Sequence, residues 1–192
     1  MKCSVYIATS VDGFIAKKDG SVDWLHQVGC LDAEMGEHAD MGFAAYMASI
    51  DCMIMGRKCM QSIADMHLTP EQWPYGNTRI VVLSNTLTTF PDNMKGRIEL
   101  YSGDLQQLLT QLESAGHKHA YIDGGMTIQA FINLKLINEM TITRAPVLLG
   151  EGIPLFAKTA KEVTLHNTQA IAFANGFIQE KYSVSYYSNY SK

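Results

Sequence analysis

The sequence predicts an α/β domain in which helices cover both faces of a mixed sheet. Strand-like and helix-like segments alternate from Cys3 to Ala145, the order that builds a largely parallel sheet. Several strand-like runs, Arg79–Leu83 (RIVVL) above all, are continuously apolar, as strands buried on both faces are. Asn175-Gly176 then separates two strand-length runs near the end of the chain. Both residues tolerate the positive φ of a tight antiparallel hairpin.

The first strand is Cys3–Thr9, broken by Ser10–Gly13. Phe14–Ala16 is a short apolar return, residues 17–22 (KKDGSV) are a polar turn, and Trp24-Leu25 is an apolar landing. A connection this long is often functional. Leu31–Ser49 reads as one helix, with Met41, Ala44, Ala45 and Ala48 as its apolar stripe and Phe43 and Met47 on a flank. Asp40 stands near the middle of that segment. Asp51–Met55 is a buried strand and Arg57 to about Ala64 a helix; Pro70 and Pro74 bracket a loop. After Arg79–Leu83, residues 86–97 form a loop and Ile98–Tyr101 a short strand. Asp104 caps a helix whose inner face is Leu105, Leu108, Leu109 and Leu112, closed by Gly116. Ala120–Asp123 is a strand running into Gly124-Gly125, and a helix follows with Ile128, Phe131 and Ile132 inward. Glu139–Ala145 is a strand, residues 146–156 are turns, and Val163–Phe173 and Phe177–Tyr187 are the hairpin.

Composition narrows the function. The chain has 192 residues, 47% hydrophobic and 18% charged, which suits one globular domain with a sizeable core. A net charge of −4 without a basic face argues against nucleic acid as the main partner. No apolar run reaches about 18 residues, so no membrane span is expected. The N-terminal MKCSVYIATSVDG reads as a strand, not a signal peptide. Cys3, Cys30, Cys52 and Cys59 have no metal-ligand spacing, which fits a reduced, cytoplasmic protein without a metal. His117 and His119 flank Lys118 with no third ligand nearby and read as a solvated loop.

Two strand–glycine–helix turns stand out, Met55-Gly56-Arg57-Lys58 and Asp123-Gly124-Gly125-Met126-Thr127. Each leaves bare helix N–H groups at the C-terminal end of a buried strand, where α/β sheets bind ligands. Two such turns suit a ligand with two phosphate groups. Neither is a GxGxxG fingerprint or a P-loop, and either glycine alone is equally well explained by a tight turn. Ser84 ends a third strand that could serve the same site, and Arg57 could grip a phosphate in bidentate fashion. Asp40, read from its neighbours alone, is more simply a surface acid. Asp12 is a turn residue before Gly13, and Trp24 a partly buried anchor.

These segments resemble, in order, the dihydrofolate-reductase-like superfamily, and within it stand-alone relatives of the C-terminal reductase domain of bifunctional riboflavin-biosynthesis proteins. The matching pieces are Ile7–Ala16, Met55–Lys58, Val82–Ser84, Asp123–Ile128 and Ala145–Phe156, spread over residues 3 to about 186. The resemblance implies a single three-layer domain (1–192) on a sheet of about eight strands, and an NADPH-dependent reductase of a pteridine or pyrimidine-ribosyl substrate. By position, Ala8 and Ile15 would line the nicotinamide and Gly56, Arg57 and Lys58 would hold phosphates. Leu83 and Ser84 would lie near the adenosine, and Gly124, Gly125, Met126 and Thr127 would cradle the pyrophosphate. The spacing from Asp40 to Gly56 resembles that from the substrate-binding acid of dihydrofolate reductases to their motif glycine. Asp40 is therefore the catalytic candidate, with Trp24 and Thr143 beside it as substrate-binding residues. The chain departs from riboflavin-pathway reductases, which usually carry Lys at Tyr6 and Glu at Asp123. It departs from dihydrofolate reductases at Cys59 (usually Thr) and Ile128 (usually Tyr). The rival expectation is a non-catalytic NADP-binding module, and a third is a reductase that inactivates xenobiotic folate analogues. A homodimer through the tyrosine-rich last hairpin (Tyr182, Tyr186, Tyr187, Tyr190) is also expected.

Overall fold

The computed structural model describes residues 1–157, 159 and 162–186. In chain order the strands are β1 (Lys2–Ser10), β2 (Phe14–Ala16), β3 (Cys52–Gly56), β4 (Arg79–Leu83) and β5 (Glu99–Tyr101). They continue with β6 (His119–Asp123), β7 (Glu139–Ala145), β8 (Ile153–Pro154), β9 (Thr164–Ala172) and β10 (Ile178–Ser185). The α-helices are α1 (Phe43–Ser49), α2 (Arg57–Asp65), α3 (Leu105–Ser114) and α4 (Gly125–Asn133).

The main sheet has eight strands in the order β5-β4-β3-β6-β1-β7-β10-β9. The first six run parallel, and β10 and β9 close the far side antiparallel. This is the mixed sheet that the strand–helix alternation and the Asn175-Gly176 turn predict. β2 and β8 make a separate two-stranded antiparallel sheet.

Alternation along the strands sorts the core onto two faces. Cys3, Val5, Cys52, Ile54, Val81, Ala120 and Ile122 pack with Leu108, Leu112, Ile128 and Phe131 of α3 and α4. Met53, Met55, Ile80, Val82 and Tyr121 face the other way and pack with Met60 and Ile63 of α2, with Tyr6, Phe43, Tyr46 and Met47 against them. A third cluster, Trp24, Ala145, Phe173 and Phe177, sits at the hairpin end, flanked by Leu25, Val28, Met35 and Met41. Covering a sheet on both faces is what permits strands without polar alternation. At α3 the carboxylate of Asp104 accepts from the Gln107 N–H at 2.9 Å, the expected N-cap.

One segment departs from its sequence pattern. Leu31–Ser49 is not a single helix: it holds turns, a 3₁₀ turn at Gly36–His38, and α1 only from Phe43. Met41 and Gly42 both take left-handed backbone, with φ of 53° and 86°, which no helix accommodates. The expected stripe is also misplaced. Ala44, Ala45 and Ala48 are exposed, and the inner face is Phe43, Tyr46 and Met47. Alanine fits either environment, so the larger side chains decide.

Candidate active site

The parallel strands β3, β4 and β6 end together, and the two glycine turns meet there. In the register of β3, Gly56 lies opposite Leu83 of β4 and Met55 opposite Asp123 of β6. The two glycine turns and the end of β4 are thus neighbours. A Cβ on Gly56 would come 3.1 Å from Thr127 Oγ1 of α4. Gly124 has φ +89°, and a Cβ there would collide with Cys59 Sγ of α2, so the turn has no room for a side chain. Neither α2 nor α4 has a side-chain cap. Their first N–H groups and the exposed side chains of Arg57 and Lys58 make one cradle suited to anions. Thr127 is buried, Leu83 and Ser84 are half-buried, and Met126 is exposed. Ser84 Oγ accepts from the Leu87 N–H at 2.9 Å and serves the local turn.

Asp123 sits beneath this cradle. Burial raises its pKa, against hydrogen bonding from the Gly124 N–H, Tyr121 and Cys59. Burial likewise pushes the Cys59 thiol up to about 12. Burial thus favours the uncharged form of Asp123, which does not repel a phosphate in the adjacent turns as a carboxylate would.

Beside the cradle, across β1, lies a cavity of about 490 Å³, a size typical of small-molecule sites. Its walls include Tyr6, Ala8, Leu25, His26, Leu31, Asp40, Met41, Thr143 and Phe177. Register explains the convergence. Ala8 pairs with Thr143 of β7, Thr143 pairs with Gln179 of β10, and Tyr6 lies two residues before Ala8 on the same face of β1. Gln179 Nε2 lies 3.0 Å from the Tyr6 hydroxyl, 3.0 Å from the Met41 carbonyl and 2.9 Å from Thr143 Oγ1. The Tyr6 hydroxyl donates to the same Met41 carbonyl at 2.6 Å. Burial raises the Tyr6 pKa; the Gln179 hydrogen bond opposes this and the charge of Asp40 adds to it. Tyr6 and Gln179 thereby clamp the left-handed turn at Met41.

That turn presents Asp40, which lies at the exposed entry to α1 and not within a helix. Its carboxylate accepts from the Ala44 N–H at 2.8 Å and the Gly42 N–H at 2.9 Å. Those two bonds, Ala44 first, hold its pKa below the usual carboxylate range, so it is an anion at neutral pH. Ile15 of β2 packs against the cradle, since a Cβ on Gly125 would come 2.8 Å from Ile15 Cδ1.

Trp24, expected beside the substrate, does not line the cavity. It is 3% exposed in the third core cluster, and its neighbours Leu25 and His26 face the space instead. Asp12 is a structural residue, accepting from Ser10 Oγ and from the N–H groups of Leu149 and Gly150. His119 is the first residue of β6 rather than part of a solvated loop, bonded to Ser4 Oγ and to the Ser49 carbonyl. His117, Asp51 and Cys52 converge at the other end of the sheet. There the Asp51 carboxylate already accepts from the N–H groups of Lys118 and His119, and Arg79 lies 3.3 Å from His117. Gln179 was not foreseen. Its only sequence signal is an amide on the strand face opposite Ile178, Glu180 and Tyr182.

A glycine-lined cradle and an acid-bearing cavity thus lie at the C-terminal ends of the parallel strands of an α/β fold. The chain belongs to the RibD C-terminal domain family, whose model matches residues 2–179. It is 32% identical over 165 residues to the uncharacterized protein YwjB of Bacillus subtilis, covering 85% of this chain and 87% of that one. It is 28% identical over 184 residues to YyaP of the same organism, covering 92% and 91%. A putative riboflavin biosynthesis protein from Shewanella sp. PV-4 superposes with a TM-score of 0.85 and 36% identity, over 96% of this chain and 99% of that one. The riboflavin biosynthesis reductase Rib7 of Saccharomyces cerevisiae shares the fold at a TM-score of 0.64 and 10% identity, over 96% and 90% of the chains. Among the described residues, no helix is long and apolar enough to cross a membrane.

Proposed function

We propose that the chain is an NADPH-dependent reductase of a nitrogen heterocycle, a pteridine or a pyrimidine-ribosyl compound. The observation that carries this reading is the pairing of an uncapped glycine cradle with a cavity lined by Asp40, an acid whose pKa is held low by two backbone N–H groups. NADPH supplies hydride when bound. Gly56, Arg57, Lys58, Gly124, Gly125, Met126 and Thr127 would hold its phosphates, with Leu83 and Ser84 toward the adenosine. Ala8 and Ile15 would flank the nicotinamide. Asp40 would accept two N–H bonds from an amino-substituted ring edge and raise the basicity of the ring nitrogen that takes a proton. Thr143 Oγ1, held by Gln179, supports the same wall.

The rival reading is a module that binds the dinucleotide without turnover. The Tyr6 hydroxyl favours it, because its proton is committed to the Met41 carbonyl. Following NADPH absorbance with dihydropterins and aminouracil ribosides separates the two. The reductase reading expects oxidation of NADPH with at least one substrate. It also expects Asp40→Asn to lower kcat/KM by roughly 10- to 100-fold, the worth of a charge-assisted hydrogen bond. NADPH binding with no oxidation by any of them leaves only the binding module.

A further inference from the structure

The distribution of cations over the site says more about the substrate than the fold does. At the cofactor end Arg57 and Lys58 are exposed at the start of α2. In the cavity the reverse holds. Of the residues lining it, Asp40 is anionic and His26 is the one side chain that can carry positive charge; the rest are apolar or neutral. Several lysines and an arginine of the flanking strands and loops are ion-paired. Lys17 pairs with Asp23 at 3.1 Å, Lys18 with Glu151 at 2.6 Å and Arg144 with Glu180 at 2.7 Å. The neutral polar groups on β1 and β7 are engaged as well. The Tyr6 hydroxyl donates to the Met41 carbonyl, and the Gln179 amide is shared among Tyr6, Met41 and Thr143.

We infer that the substrate cavity selects heterocycles that carry no phosphate, and that the phosphate-binding power of this chain is reserved for the cofactor. The inference rests on the reductase reading for its ligand class. A phosphomonoester needs cations or a run of free N–H donors to replace its hydration. Among the described residues the cavity lining has no Lys or Arg, its one basic side chain is His26, and the charge of Asp40 repels the dianion. Like charge opposed to like charge is how a binding site rejects a close analogue. Tyr6 is the specificity-determining residue in this account: it places a neutral, already bonded hydroxyl on the cavity wall at β1. The apolar walls at Leu25, Leu31 and Met41 instead suit a ribityl stem, a short alkyl tail or an aryl group.

The test uses matched pairs: a hydroxymethyl dihydropterin with its phosphate monoester, and an aminouracil riboside with its phosphate monoester. Dissociation constants are measured by calorimetry on the full chain with saturating NADP⁺. In each pair that binds, the free alcohol is expected to bind at least about tenfold more tightly than its ester. Cys30→Lys and, separately, Leu31→Arg place a cation on exposed lining positions and should narrow that ratio. An ester that binds as tightly as its alcohol overturns the inference while the reductase reading stands. Tight binding of the alcohol without hydride transfer overturns the reductase reading while the exclusion of phosphate stands. If neither member of either pair binds, the cavity is not a heterocycle site and the inference falls.

Discussion

Asp123 shows how one buried carboxyl shapes a binding site. Its pKa is raised by burial, so over the window between the ordinary carboxylate value and the raised one the folded chain keeps a proton that the unfolded chain has lost. Stability therefore falls as pH rises through that window. Cofactor affinity should fall in parallel as charge appears beneath the phosphates. Asp123→Asn should flatten both dependences, read as Tm and as NADPH fluorescence titrations across pH; a wild-type affinity that climbs with pH would rule out the neutral cradle. Gln179 acts through another residue. Gln179→Ala strips the amide from Met41, Tyr6 and Thr143, and should cost about 1–2 kcal/mol in denaturant unfolding. Because the loss loosens the turn bearing Asp40, it should raise KM for substrate several-fold while the NADPH Kd is unchanged. Equal loss at both sites would mark Gln179 as merely structural.

At the scale of elements, the turn from β6 into α4 is the most constrained feature. Gly124→Ala must adopt a positive φ and push aside Cys59 of α2, so we expect about 2 kcal/mol or more of destabilisation and at least tenfold weaker NADPH binding. The double change Gly124→Ala with Cys59→Ala should regain part of the loss, because the packing conflict is relieved and the backbone strain is not; no recovery would place the whole cost in the backbone. This turn was legible in the sequence because a buried strand running into paired glycines has few alternatives. The segment before α1 was not. Its periodicity matched a helix, but the stripe was largely alanine, and Gly36 and Gly42 were the interrupting signal. Met41 takes left-handed backbone, and Tyr6 and Gln179, from two distant strands, bond its carbonyl.

For the whole molecule, the sheet is asymmetric. Its β5 edge strand is half-buried, whereas β9 is exposed along all nine of its residues and, among the described residues, nothing pairs with its outer edge. Leu165 and Ile171 on β9 and Ile178 on β10 are 37%, 48% and 44% exposed. A long edge of this kind is a template for pairing with another chain. The expected homodimer would therefore form on the hairpin, although Tyr187 and Tyr190, which helped suggest it, lie outside the described residues. Sedimentation velocity at micromolar concentration should show a dimer, and Ile171→Lys should shift it to monomer. A monomeric wild-type chain would count against the hairpin as an interface.

The apolar runs of β3, β4 and β6, the two glycine turns and the Asn175-Gly176 hairpin were determined by the sequence itself, because each rests on local requirements: burial on two faces, a backbone without Cβ, a positive φ. Tertiary structure alone decided the neighbours. Strand order places β7 and β10 beside β1, which brings Gln179 within 3.0 Å of the Met41 carbonyl across 138 positions of chain. It buries Trp24 behind Leu25 and His26, and it leaves Asp40 ionised at a cavity mouth rather than on a solvated helix face. A register or a charge pairing depends on which strands lie side by side, and local composition carries no record of that.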